Sequence, residues 1–146
     1  KKCSSNNMLN FKNPDFDKLT TNQLKQVADY WQRQYLLSTA ERDSFGRIKC
    51  PITGKYFSED KLHVCHIVDR AKISTRYDLE NVFLGSAYSN TFEAKQMKDG
   101  YKSLHHARIE LKFGKDYVDK LHERAEEIKL MSKEDYIELI KKYQGE

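Results

Sequence analysis

Helical spacing governs both flanks of this chain and leaves only its middle for anything else. Leu24, Val27, Trp31, Tyr35 and Leu36 recur at the three- and four-residue intervals of an amphipathic helix, which predicts a helix over roughly 20–43, ended by Gly46. A helical pattern returns at Ser89 and runs almost to the end. Leu104, Ile109 and Leu111 precede Gly114, a residue suited to a C-terminal cap. Val118, Leu121, Ala125 and Ile128 mark a second helix of the tail. Ser132 with Asp135 resembles a capping box and would open a third, carrying Tyr136, Ile137, Ile140 and Tyr143.

Between these flanks lie short apolar runs with turn signals. In "RIKCPITGKYF" Pro51 and Gly54 punctuate two runs, which reads as a turn or knuckle between short β-segments. "KLHVCHIV" follows as a compact β-branched stretch, and "LENVFLG" as another. The expected fold is therefore α+β and mostly helical. Residues 1–17, rich in Asn, Lys and Ser and holding Pro14, read as a flexible or extended arm. A chain of 146 residues is one domain by size, which puts a single domain at 18–146, with a core at 47–98 and a helical tail at 100–143.

Composition narrows the function classes. A net charge of +4 permits a nucleic-acid partner without demanding one. Three cysteines, Cys3, Cys50 and Cys65, are too few for a disulfide framework and point to a reducing cytoplasm. No apolar run approaches the roughly 20 residues of a membrane span, and no signal peptide is visible, so no membrane partner is expected.

The chemistry concentrates in the middle. "KLHVCHIVDR", residues 61–70, sets His63, Cys65 and His66 almost side by side. Asn81 follows in "LENVF" and Asn90 in "SAYSNTFEAK". A histidine at a strand end, an asparagine in the returning strand and a third polar residue at a helix start suit phosphodiester hydrolysis. Such hydrolysis needs a base near neutrality to deprotonate water, which histidine supplies. It also needs a divalent cation, to which an asparagine offers a hard oxygen. Each residue also has a plainer reading: His66 as a satisfied strand-end histidine, Asn81 as a turn residue, Asn90 as a helix N-cap. Cys50, His63, Cys65 and His66 could together form a zinc knuckle, although C-x12-H-x-C-H lacks the usual paired ligand spacing. Cys65 reads best as a small buried hydrophobe. His105 and His106, on a predicted helix without a partner motif, read as exposed or as phosphate contacts.

The His66, Asn81, Asn90 order resembles the HNH endonuclease motif. "VCHIVDRAKISTRYDLENVFLGSAYSN" is further similar to the NinG (Rap) recombination nucleases of lambdoid phages, with Arg76, Tyr77, Asp78 and Asn81 at matching positions. The likeness extends over roughly residues 25–143. It implies a ββα-metal (HNH, His-Me finger) core flanked by an N-terminal helix and a C-terminal helical region. It implies His66 as general base, Asn81 as the catalytic-loop brace, Asn90 as a metal ligand and Arg76 as a phosphate-binding residue. Arg70, Lys72 and Lys61 would add local basic contacts to DNA.

The cofactor so implied is a divalent metal, Mg²⁺ or Mn²⁺. The substrate would be DNA, with branched or junction intermediates of recombination favoured, in the host cytoplasm if a bacteriophage encodes the chain. A homodimer would suit a two-fold junction. Two departures stand out. Family members carry paired cysteines for a structural zinc, where this chain has Cys50 with Thr53 and Ser86 with Ser89. No structural zinc is expected, and Tyr56, Phe57, Phe83 and Tyr88 would pack in its place. Cys65 stands where many HNH enzymes put an acid, so His63 becomes the candidate second ligand, with Asp69 or a residue from outside the motif as the alternatives. Alternative readings are a catalytically inactive HNH-derived DNA-binding module and a zinc-knuckle interaction domain.

Overall fold

A reciprocal exchange at Thr20 starts the first helix. The Thr20 hydroxyl accepts from the Gln23 backbone N–H at 3.2 Å, and the Gln23 amide oxygen accepts from the Thr20 N–H at 2.9 Å. Two otherwise orphaned donors are thereby satisfied. In the computed structural model, which describes residues 9–91 and 103–145, helix α1 runs Thr21–Thr39. It ends earlier than the apolar stripe suggested. Asp43 accepts the backbone N–H groups of Phe45 and Arg47 through Oδ1, and this side-chain competition for backbone donors makes a turn where the helix would have continued.

Two short antiparallel hairpins follow. Strands β1 (Ile48–Lys49) and β2 (Tyr56–Phe57) pair Ile48 with Phe57 and Lys49 with Tyr56. The turn between them closes through Cys50, whose N–H donates to Lys55 and whose carbonyl accepts from Gly54. Strands β3 (Leu62–His66) and β4 (Val82–Ser86) pair from Leu62 with Ser86 to His66 with Val82. A loop holding the short helix α2 (Ile73–Arg76) joins β3 to β4, and helix α3 (Ala87–Thr91) leaves β4 directly. The helical tail is α4 (Leu104–Phe113), α5 (Lys115–Ala125) and α6 (Lys133–Tyr143). Gly114 sits between α4 and α5 at φ 96°, and the Ser132–Asp135 capping box is formed in both directions. Ile128 does not continue the α5 stripe: the helix has ended, and the side chain is 93% exposed. The architecture is α+β with two small antiparallel sheets.

Two compact units emerge from the contacts: residues 1–38 with 130–146, and residues 39–129. In the first, α1 buries Leu24, Val27, Ala28 and Leu37, and α6 buries Tyr136, Ile140 and Tyr143. Tyr35 meets Tyr143 at 5.6 Å between ring centroids. Residues 9–17 lie in this unit: Phe11 stacks on Tyr30 at 5.1 Å, and its carbonyl accepts the Trp31 indole N–H. Residues 1–8, with Cys3, and the 92–98 end of the expected core lie outside the described residues. Among the described residues no helix is long and apolar enough to cross a membrane.

The second unit holds the hairpin of interest. Cys65, Ile67, Val68 and Phe83 from the β3–β4 region form one core with Ile109, Val118, Leu121 and Ala125 from α4 and α5. Gly85, opposite His63 in the register, is dictated by this packing. A Cβ there would meet Phe83 Cε2 at 2.8 Å and Cys65 Sγ at 2.9 Å. Close-packed interiors absorb such overlap only by moving side chains or backbone. Gly85→Ala is therefore expected to cost about 1–3 kcal/mol, read from the midpoint of urea unfolding. An unchanged midpoint would mean that the back of the hairpin is looser than its contacts imply.

Candidate functional site

The β3–β4 connection is built around one buried amide. Asn81 is fully buried. Its Oδ1 accepts the Val68 N–H at 2.8 Å, while Nδ2 donates to the carbonyls of Val68 at 3.2 Å and Thr75 at 3.0 Å. Its own carbonyl accepts the Ile67 N–H at 2.8 Å. One side chain thus ties the exit of β3 to helix α2. An amide suits the place because it offers an acceptor and two donors at once.

This brace fixes the surroundings of His66. The ring Nε2 lies 3.1 Å from the Arg76 carbonyl. A carbonyl can only accept, so Nε2 carries the proton and Nδ1 is the basic nitrogen of the neutral ring. Arg76 itself corrects an expectation. Instead of reaching toward a phosphate it is 4% exposed, donates through Nη1 to the Arg70 carbonyl at 2.9 Å, and lies over the Tyr77 ring. A guanidinium buried this way works inside the loop, and its residue serves the site through its backbone oxygen.

Helix α5 holds the same loop from outside. Arg124 Nη1 donates to Glu80 at 2.8 Å, and its Nη2 lies 3.4 Å from Asp78. The Tyr117 hydroxyl donates to the Glu80 carbonyl, and Ser74 donates to the Ala125 carbonyl at 3.0 Å. Burial, then the Glu80 and Asp78 carboxylates, pushes the Tyr117 phenol up. The hydrogen bond to Glu80 leads the causes that hold Arg124 charged beyond its ordinary range. Asp78 also accepts the Glu80 N–H, which starts the turn ending at Asn81.

Beside His66 opens a groove of about 310 Å³. The hairpin and its loop contribute Val64, His66, Asp69 and Arg70; α3 contributes Asn90; α4 contributes His105 and His106. Asn90 and His63 are in contact, with the amide Nδ2 3.3 Å from the imidazole Nδ1. Of the residues expected to act together, His66 and Asn90 line one groove, while His63 touches Asn90 without lining that groove. Arg70 joins them at the groove. Lys61 is exposed at the opposite end of β3 from His66, and exposed Lys72 lies 3.7 Å from Glu126. Among the described residues no three His, Cys, Asp or Glu side chains converge as a metal cluster. The candidate cation donors are an amide and an imidazole, with Asp69 lining the same groove.

Histidines 105 and 106 were underread from the sequence. His105 is 3% exposed and stacks toward Phe83 at 6.4 Å between centroids, contrary to the expected solvent position. The signal was available: His105 precedes Ile109 by four residues, one helical turn, and so shares its buried face. What no local pattern could supply was the neighbour, because His66 and His106 lie on different elements, 40 positions apart.

The paired positions linked to zinc in the resemblance also meet. Cys50 Sγ accepts the Ser86 N–H at 3.3 Å, and Ser86 Oγ accepts the Ser89 N–H at 3.4 Å, all in buried surroundings. Packing by Tyr56 and Tyr88 does not hold this knuckle, since they are 46% and 60% exposed; Phe83 alone of the four aromatic residues is buried. Cys65 lies in the core, its thiol pushed up to about 12 by burial and by the neighbouring Cys50.

Two outcomes follow. Asn81→Ala would strip the Val68 N–H and carbonyl of their side-chain partner, while the Thr75 carbonyl keeps the Asp78 N–H at 3.1 Å, and is expected to cost about 2–4 kcal/mol in urea unfolding; a loss below 0.5 kcal/mol, roughly what a surface change costs, would remove the brace from the account. Native protein at pH 8 should leave Cys65 unalkylated by iodoacetamide in peptide mass spectra. Because the folded thiol titrates above its unfolded value of 9.0, its contribution to stability is intact below pH 9 and is lost as pH rises toward 12. Fast labelling of Cys65 in the folded chain would contradict its interior placement. No family model, curated protein or solved structure matches this chain.

Proposed function

We propose that this chain is a metal-dependent DNA endonuclease of the HNH (ββα-metal) type. The observation that carries the reading is the His66 Nε2 contact with the Arg76 carbonyl, in a ring that shares its groove with Asn90. A base must present an unprotonated nitrogen to water, and this contact assigns the proton to the other nitrogen. His66 then takes a proton from water through Nδ1 as the water attacks phosphorus. Asn81 positions the loop that carries the Arg76 carbonyl and so keeps the ring oriented. Arg70, exposed at the groove, pairs with a phosphate oxygen. Lys72 and Lys61 are exposed and add screened, sequence-independent attraction to the DNA backbone.

Asn90 and His63 would hold the cation, with Asp69 the nearest acidic candidate in the same groove. When bound, a divalent ion supplies charge neutralisation at the phosphate and leaving oxygen. An imidazole donor suits Mn²⁺ better than Mg²⁺, so Mn²⁺ is the ion of choice for an assay. The resemblance to recombination nucleases makes branched DNA the preferred substrate class.

The test uses labelled linear duplex, D-loop and four-way junction DNA with Mn²⁺ or Mg²⁺. Cleavage should vanish in EDTA, return with added Mn²⁺, and fall about 10²–10⁴-fold in His66→Ala, the usual contribution of a positioned base. Binding without metal-dependent cutting would favour the inactive-module reading instead, and a His66→Ala variant that cuts normally would remove His66 from the mechanism.

A further inference from the structure

Among the described residues Phe45 is the most exposed aromatic side chain, at 81%. It sits in the turn that leads into β1 and lies outside the His66 groove. The turn does not need its ring. Asp43 accepts the Phe45 and Arg47 N–H groups, Gly46 supplies φ 79°, and Arg42 Nη1 donates to the Gly46 carbonyl at 3.0 Å. These bonds hold Phe45 in place before anything binds. An apolar ring fixed in water gains free energy when something covers it. The Arg47 guanidinium, 5.1 Å from the ring centroid, meets one face and leaves the rest open.

Arg47 belongs to a wider basic face. The Asp43 N–H donates to the Arg47 carbonyl at 2.9 Å and Arg42 bridges Ile48, so the backbone runs extended from Arg47 into β1. Burial alternates along it: Ile48 and Cys50 are buried, Arg47 and Lys49 exposed. Across the ladder Lys49 pairs with Tyr56, which is exposed, as is Lys55 beside it. Residues 42–57 hold four basic side chains and one acid, Asp43, which is paired with Arg47 at 2.9 Å. Among the described residues Lys49 and Lys55 have no acidic partner. Cys50 Sγ, accepting the Ser86 N–H, fixes this hairpin to β4.

We propose that the outer face of the β1–β2 hairpin binds an unpaired DNA strand. A base stacks on the open face of Phe45, Tyr56 offers a second ring, and Lys49 and Lys55 take backbone phosphates. Rings interleaved with cations suit a single strand, because every base has a π-face and every link carries a charge. A duplex keeps its bases stacked on one another and so cannot use the rings. The polymer is taken as DNA from the reading above, but the contact needs neither a metal nor cutting. Branched substrates expose such unpaired segments, and the surface gives the chain a means of selecting them.

Fluorescence anisotropy in EDTA tests this, with labelled oligothymidylate of about 12 nucleotides, within the span of such sites, and a blunt duplex of equal length. Phe45→Ala should weaken single-strand binding about 5- to 150-fold and leave duplex binding unchanged. Phe45→Trp, which keeps a ring, should bind as wild type does. Lys49→Gln should lower the slope of log affinity against log salt by about 0.7, whereas Phe45→Ala should leave that slope alone. An exposed ring carries no core packing, so the thermal transitions of these variants should match wild type. Wild type that binds no single strand, a Phe45→Ala variant that binds it normally, or one that loses both DNAs equally would overturn the stacking site. Because EDTA removes cutting from this assay, those outcomes leave the hydrolase reading to the cleavage test, and a failed cleavage test leaves the stacking site standing.

Discussion

The buried amide of Asn81 is the constraint on which the rest of the site depends. A loop that leaves a strand, makes one turn of helix and returns to pair with that strand has backbone groups it cannot show to water. Asn81 meets three of them, one N–H and two carbonyls, from a fully buried position. Aspartate would oppose two carbonyls with an acceptor, and leucine would leave both Val68 groups without their partner, although the Thr75 carbonyl would keep the Asp78 N–H. Each such bond adds about 1 kcal/mol net, but an unmet buried group costs about 1–3 kcal/mol, so the penalty for disruption exceeds the gain from formation. Through Thr75 the amide sets the end of α2, and the next residue presents its carbonyl to His66. The tautomer of the histidine thus depends on an asparagine it does not touch.

The charged contacts around the loop rank well below this brace. Exposed ion pairs contribute about 0–1 kcal/mol each, so the 3.7 Å approach of Lys72 to Glu126 adds little. That weakness matters for the proposed function, because Lys72 can exchange Glu126 for a phosphate at small cost. Arg124 differs in kind. It spans Asp78 and Glu80 on the turn that delivers Asn81, and Tyr117 and Ser74 reinforce the same loop from α5 and toward α5. Helix α5 is therefore a structural support for the hairpin, and α4 and α5 together cover its core.

Much of this was legible because it is local. The helices α4, α5 and α6, the Ser132 cap and the turn at Gly114 each follow from neighbours within a few positions. Of the three apolar residues that marked α4, however, only Ile109 is buried, Leu104 and Leu111 being 48% and 88% exposed. The ordered His66, Asn81 and Asn90 pointed to the β3–β4 hairpin and the helix that leaves it, which is where the structure places them. The misreadings share another cause. Arg76 looked like a surface cation because arginines usually are, yet a guanidinium that reaches a carbonyl and lies over a ring can be buried. Tyr56 and Tyr88 looked like core because they are aromatic, but the knuckle is closed by a thiol and two serines donating and accepting along the backbone. His106 could not be placed beside His66 without the packing of α4 on the hairpin. Such long-range juxtapositions leave no periodic trace.

The position of Cys65 bears on whether the site can be active. From sequence it stands where an acidic ligand is absent, which argues for a module that binds DNA without cutting it. In the fold, that position faces the core. Cys65 is fully buried, touches the space that Gly85 leaves open, and packs with Ile67, Val68 and Phe83. A carboxylate in its place, among Ile67, Val68 and Phe83, would lose its hydration at a cost of several kcal/mol. The thiol is thus the residue this packing calls for, and its presence says nothing against a metal elsewhere. Oxygen donors for a cation have to come from the groove side of the hairpin, where Asn90 and Asp69 lie. On this ground the inactive-module reading loses one of its two sequence supports, the missing acid, and keeps the other, the missing zinc cysteines.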